Sequence, residues 1–419
     1  MKTKEREVFF VKLLPIGITD FSKIIQNEYY YIDKTDLIAE ILQYGVEVTL
    51  FTRPRRFGKT LNMSMLQYFW DIQNAEESRK LFRGLKIENS PYMAEQGKYP
   101  IIYLSFKDIK EKTWEDCRKK IKRIVSNLYN KYENIRPFLN QRDLKIFDDI
   151  WLEQSESSDS NSIKDLSEYL SKYYQQKVII LIDEYDTPIV SAYEHGYYEE
   201  AISFFRTFYS AALKYNEYLQ RGVMTGILRV AKEGIFSGLN NLAVYSILDE
   251  KYSSYFGLTE KEVQEALEYY ELEYNIQEVK EWYDGYLFGN TEMYNPWSII
   301  NYISNQKLDA YWIGTSSNAL INQMLEKARR EESDVFQKLE TLFQGNSILQ
   351  RIQKGSDFHD LVRVEEVWQL FLYSGYLTIE REQEQGFYRL RIPNKEVYSF
   401  FQESFIQKFL GNITNFSEI

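Results

Sequence analysis

Five consecutive apolar residues, Val178-Ile179-Ile180-Leu181-Ile182, run directly into Asp183-Glu184. Successive side chains of a strand point to opposite faces, so a strand with no polar residue on either face must be covered on both. That requirement places it inside a parallel sheet with helices above and below, and it puts the acidic pair at the strand's carboxyl end, where ligands of open α/β sheets gather. Two readings follow. In one, Asp183 holds a metal shell and Glu184 orients and deprotonates an attacking water. In the other, a core strand finishes in a solvated acidic turn, Asp183-Glu184-Tyr185-Asp186.

A second stretch favours the first reading. Val46, Val48, Leu50 and Phe51 read as a strand, and Leu61, Met63, Met65, Leu66, Phe69 and Trp70 as a helix. Arg53-Pro54-Arg55-Arg56-Phe57-Gly58-Lys59-Thr60 lies between them. Backbone N–H groups in the first turn of a helix lack intrahelical acceptors and sit at the positive end of its dipole, so they suit a triphosphate. Gly58 lets the backbone approach the phosphates, Lys59 would reach the β- and γ-phosphates, and the Thr60 hydroxyl would ligate Mg²⁺. The expected cofactors are therefore ATP and Mg²⁺. The nucleotide would lie along Arg55, Arg56, Phe57, Gly58, Lys59, Thr60 and Leu61, with Thr60 and Asp183 on the metal. Loops of this kind ordinarily carry a glycine where Arg53 stands here, and Pro54 follows. Neither residue accepts a positive φ readily, so the loop entrance must depart from the ordinary shape.

Bulk properties narrow the partners. The chain has 419 residues, 44% hydrophobic and 27% charged, as in a soluble globular protein of two or three domains. A net charge of −11 disfavours non-specific duplex binding, which depends on Lys and Arg neutralising phosphates. Arg118, Lys119, Lys120, Lys122 and Arg123 form either a solvated helix face or a local nucleic-acid contact, beside a buried stripe of Cys117, Ile121, Ile124 and Leu128. The single cysteine, Cys117, excludes an intrachain disulfide and a multi-cysteine zinc site. No apolar run approaches membrane-spanning length and the first residues are too charged for a signal peptide, so a cytoplasmic location is expected.

Along the chain, strand 101–106 and strand 221–226 alternate with helices, which extends the parallel sheet. Thr225 would lie at its carboxyl edge, either bonding the γ-phosphate or the water, or simply ending a strand. With Glu184 and Lys59 it completes the expected catalytic set. The alternation stops near Phe256. Thr259-Glu260-Lys261-Glu262 is a capping box, and Asn295-Pro296 a cap followed by an N1 proline, so a helical lid or adaptor is expected. Helix 365–373, strands 376–380 and 387–392, and a helix after Pro393-Asn394 then suggest a winged helix. The expected division is an α/β domain over 1–255, a helical region over 256–345 and a winged-helix-like domain over 346–419.

Five separated motifs now stand out together: Pro15-Ile16-Gly17-Ile18, Tyr31-Ile32-Asp33-Lys34-Thr35, the loop from Arg53 to Thr60, Leu181-Ile182-Asp183-Glu184-Tyr185-Asp186, and Trp282-Tyr283-Asp284-Gly285-Tyr286. They resemble the bacterial AAA-ATPase-like family over nearly the whole chain. Ser374-Gly375-Tyr376-Leu377 and Ile392-Pro393-Asn394-Lys395-Glu396 resemble the segment before that family's usual C-terminal PD-(D/E)XK nuclease-like domain. The family loop has the Arg-Pro-Arg-Arg-Phe form found here, in keeping with the missing glycine. No Asp followed by Glu-x-Lys remains before Ile419, so no nuclease activity is expected of these residues.

The resemblance and the residues together imply a Mg²⁺-dependent P-loop ATPase with a catalytic Glu beside the metal Asp. Asn130-Lys131-Tyr132-Glu133 imitates a guanine-reading motif only loosely and lies mid-helix, which disfavours GTP. Arg55, Arg56 or Arg229 would act as an arginine finger toward a neighbouring subunit in a homo-oligomer, or face solvent. The competing function is a nucleotide-loaded interaction module with little turnover that contacts a protein partner. A third is the regulatory remnant of a nucleic-acid effector.

Overall fold

The computed structural model describes residues 11–154, 160–228, 236, 239–312, 319–331, 334–353, 366–384 and 386–402. Arg229 lies outside the described residues. The centre is a five-stranded parallel sheet of β1 (Val48–Thr52), β2 (Ile101–Ser105), β3 (Val178–Asp183), β4 (Leu219–Gly226) and β5 (Leu242–Tyr245), in the order β2-β3-β4-β1-β5. Every residue of β1 and β3 is buried, Thr49 and Thr52 of β1 included, as the position of both strands within the sheet requires. The register between strands positions the site. Phe51 pairs with Thr225 and Thr52 with Gly226, while Ile182 pairs with Met224, so the ends of β1 and β3 open on either side of the end of β4.

Helices connect the strands. α1 (Phe21–Gln26) and α2 (Asp36–Gln43) precede β1, and α3 (Lys59–Trp70) follows it. After α4 (Ala75–Lys80) and β2 come α5 (Trp114–Lys131), α6 (Gln141–Trp151) and α7 (Ser162–Tyr174). α8 (Thr187–His195) and α9 (Tyr198–Leu213) join β3 to β4. Cys117 is fully buried on α5. The basic residues of that helix are largely neutralised: Lys119 pairs with Asp116 at 3.0 Å, Arg123 with Glu153 at 3.0 Å, and Lys120 with Glu111.

Beyond the sheet a second apolar cluster gathers Leu258, Val263, Leu267, Val279, Tyr283, Tyr294, Ile299 and Ile303. It joins α10 (Glu260–Tyr269), α11 (Ile276–Tyr283) and α12 (Pro296–Asn305), and Leu14, Tyr30 and Ile32 from the start of the chain pack against it. The capping box at Thr259 and Glu262 forms, and Asn295 accepts hydrogen bonds from the N–H groups of Trp297 and Ser298. This region is not purely helical. A hairpin of β6 (Tyr286–Phe288) and β7 (Thr291–Met293) separates α11 from α12, and strands of three residues are too short to show a period.

α13 (Ala319–Arg330) and α14 (Val335–Phe343) lead to an antiparallel sheet of β8 (Ile348–Arg351), β9 (Thr378–Glu384) and β10 (Phe387–Arg391), in the order β8-β10-β9. Helix Val367–Ser374 precedes β9 and helix Lys395–Phe401 follows β10. The expected helix, two strands and helix are present, and β8 is an addition. None of the described helices is long and apolar enough to cross a membrane.

Candidate nucleotide-binding site

Where the chain leaves β1 it turns under the sheet edge, and the Arg53 N–H donates to the Gly226 carbonyl at 3.1 Å. The Arg53 side chain points inward and is fully buried. Its guanidinium donates to the carbonyls of Thr52 at 2.9 Å, Tyr245 at 3.0 Å and Tyr252 at 3.1 Å, and lies over the rings of Phe256 and Phe288. Burial pushes its pKa down to about 9, with Asp249 opposing, so it stays charged at neutral pH. The missing glycine is thereby explained. This position braces the loop from beneath, and no left-handed backbone is needed there.

The left-handed turns fall later, at Arg56 with φ of 68° and Gly58 with φ of 81°. A Cβ on Gly58 would meet nothing within 4 Å, so its φ, and no steric limit, calls for glycine. Between them Phe57 is fully buried, with ring centroids 5.0 Å from Tyr286 and 5.1 Å from Phe288. The exposed Arg56 guanidinium stands 4.1 Å from the Trp297 ring centroid, and the Trp312 indole donates to the Arg55 carbonyl at 3.2 Å. The outer side of the loop is thus held by residues that follow the parallel sheet.

Gly58 caps α3, which begins at Lys59. The Lys59 ammonium folds back onto the carbonyls of Arg53 at 3.0 Å and Pro54 at 2.8 Å, and is almost wholly buried. Burial lowers its pKa, against the pull of Glu184, Asp186 and Asp183. Thr60 donates its hydroxyl to Oδ2 of Asp183 at 2.8 Å, and Thr225 donates to Oδ1 of the same carboxylate at 2.6 Å. In this state Thr225 therefore holds Asp183. Asp183 is fully buried, which raises its pKa, and the two threonines partly offset that rise. Leu61 is half-buried on α3 and its side chain packs on the core, so its backbone alone is available to a ligand.

Glu184 occupies a left-handed turn with φ of 54°, and its carboxylate accepts from the Thr187 hydroxyl at 3.1 Å. Its charge acts on Lys59 more strongly than that of any other residue. Lys59 and Thr60 from α3, Asp183 and Glu184 from the end of β3, and Thr225 from β4 are thus brought together. The Arg56 guanidinium turns to Trp297, although the charge of Glu184 reaches it. Asp186 belongs to the same edge, and no role was drawn for it from the sequence. Its Oδ2 accepts from the N–H groups of Ile227 at 2.9 Å and Leu228 at 2.7 Å, which pins the segment after Thr225. The only signal was its place in the Asp-Glu-Tyr-Asp run.

A parallel sheet whose first strand enters a Gly-Lys-Thr turn, with an acidic pair on a strand one removed, is the arrangement of a P-loop-like α/β domain. The chain belongs to the AAA-ATPase-like family, described as Predicted AAA-ATPase, which matches residues 15–236. It is also similar to the "Uncharacterized protein in vnfD 5'region" of Azotobacter chroococcum mcd 1, with 26% identity over 404 residues, covering 95% of this chain and 71% of the relative.

Proposed function

We propose that this chain binds ATP with Mg²⁺ at the turn of residues 57–60 and hydrolyses it, using Glu184 as the base. The observation that carries the reading is the Thr60–Asp183–Thr225 network, which sets the phosphate turn against the acidic strand end. A hydroxyl and a carboxylate converging on one point form an all-oxygen donor set suited to a hard cation, so Thr60 and Asp183 would hold Mg²⁺. Bound there, the ion would neutralise charge on the β- and γ-phosphates. The backbone N–H groups at the start of α3 bind phosphate oxygens, and Lys59 exchanges its two loop carbonyls for them. Glu184 accepts the proton of the attacking water, while Thr225 and Asp186 keep the end of β4 in place.

The domain division 1–255, 256–345 and 346–419, with the last winged-helix-like, belongs to the same proposal. Nucleotide state would reach the later segments through Phe57 and the carbonyl of Arg55, which touch Tyr286, Phe288 and Trp312. Arg55 and Arg56 remain the finger candidates toward a second copy. The competing reading, a nucleotide-loaded interaction module with slow turnover, is favoured by the same clamped loop. Steady-state phosphate release separates the two. Turnover that requires both Lys59 and Glu184 supports the ATPase, and ATP binding without turnover supports the module.

A further inference from the structure

Three carboxylates meet outside the phosphate turn. Glu260 is the first residue of α10, Asp284 follows the last residue of α11, and Glu292 sits on β7; one oxygen of each lies within 4.8 Å of the others. Among the described residues the cation beside them is Lys280, 2.5 Å from Glu260. One positive charge among three negative ones leaves a surplus that like-charge repulsion makes unfavourable.

Two buried polar atoms at this place have no hydrogen bond among the described residues. Asp284 is 6% exposed, and its Oδ1 is buried with no hydrogen bond. Tyr294 is fully buried, and its hydroxyl faces the Asp284 carboxylate as its nearest acceptor, short of full hydrogen-bond geometry, with Glu260 and Glu292 beyond. The hydroxyl therefore looks into the carboxylate cluster. Leaving the Asp284 oxygen buried without a partner is unfavourable, the more so when it is charged, and a bound cation removes that cost.

The backbone beneath is fixed in advance. The Asp284 carbonyl accepts from the Asn394 side chain at 2.8 Å, and Gly285, with φ of 96°, lies so close to Pro393 that a Cβ would stand 2.1 Å from its carbonyl oxygen. The donors grade from buried Asp284 through half-buried Glu260 to exposed Glu292, which leaves one side open for water to complete a coordination shell.

We propose that Glu260, Asp284 and Glu292 form a divalent-cation site, distinct from the phosphate turn, that takes a hard oxygen-preferring ion of the Ca²⁺ or Mn²⁺ type. The ion ties α10 and α11 to the hairpin of β6 and β7. That hairpin supplies Tyr286 and Phe288 to Phe57, so the ion braces the outer wall of the phosphate turn. The proposal is independent of nucleotide hydrolysis.

The test is Tb³⁺ luminescence, excited through tyrosine, on the full chain without nucleotide. Saturable emission is expected, displaced by Ca²⁺, weakened at least tenfold in Glu292→Gln and Asp284→Asn, and retained in Asp183→Asn. Glu292 is exposed, so its replacement leaves the fold intact. The proposal is overturned if no saturable emission is seen, if folded Glu292→Gln binds as the wild type does, or if only Asp183→Asn abolishes the signal.

Discussion

Thr60 donates its hydroxyl to Asp183 at 2.8 Å although 123 residues separate them in sequence. Thr225 takes the other oxygen, so each oxygen of a fully buried carboxylate accepts one hydroxyl from a different element. Thr60→Val leaves Oδ2 without its donor. The expected loss is about 1–3 kcal/mol of stability, read by chemical denaturation, together with weakened Mg²⁺-dependent ATP binding. Unchanged stability would mean that the network is not formed.

Arg53→Gly restores the residue that phosphate loops ordinarily carry, yet it is expected to destabilise. It strands the carbonyls of Thr52, Tyr245 and Tyr252 and removes the cation from between Phe256 and Phe288. Each buried carbonyl left without its donor costs roughly 1–3 kcal/mol. A melting temperature equal to that of the wild type would contradict a bracing role.

Gly226→Ala would place a Cβ 2.5 Å from the Tyr185 ring and 2.8 Å from Oδ1 of Asp186. The rigid ring cannot yield, so the end of β4 must shift away from Asp183. Turnover is expected to fall by tenfold or more while ATP affinity changes less, measured as kcat against Kd.

Glu396 is fully buried and accepts from the N–H groups of Tyr311 and Trp312 and from the Ser298 hydroxyl. Burial raises its pKa from 4.5 to about 7. The folded state then binds more protons than the unfolded state between those values, so this group's stabilising contribution is full below about pH 4.5 and is lost as pH rises through 7. Glu396→Gln removes that dependence. In thermal melts at pH 5 and pH 8, the variant should gain on the wild type at the higher pH, by an amount of order 2–3 kcal/mol. An equal difference at both pH values would contradict it.

Much of the site was legible because its residues carry backbone requirements. A fully apolar strand must be central, Gly58 must cap a helix, and a carboxylate after such a strand must lie at the sheet edge. Arg53 was not legible in the same way, since its partners Tyr245 and Tyr252 lie 192 and 199 residues on. Thr225 was placed correctly at the edge, but its bond to Asp183 depends on the pairing of β4 with both β1 and β3. The β6–β7 hairpin and β8 were missed because three- and four-residue strands show no period. The cluster of Glu260, Asp284 and Glu292 joins three elements that only tertiary packing brings together.

The most direct test is steady-state phosphate release measured beside ATP binding for the wild type, Lys59→Ala and Glu184→Gln. Lys59→Ala should lose at least about tenfold in ATP affinity, because a charged contact to the phosphates is removed. Glu184→Gln should bind ATP as tightly as the wild type and release phosphate at a rate reduced by 10² or more. Phosphate release by Glu184→Gln at the wild-type rate, or ATP binding unaffected by loss of Lys59, would contradict the assignment of the phosphate turn and its facing carboxylates.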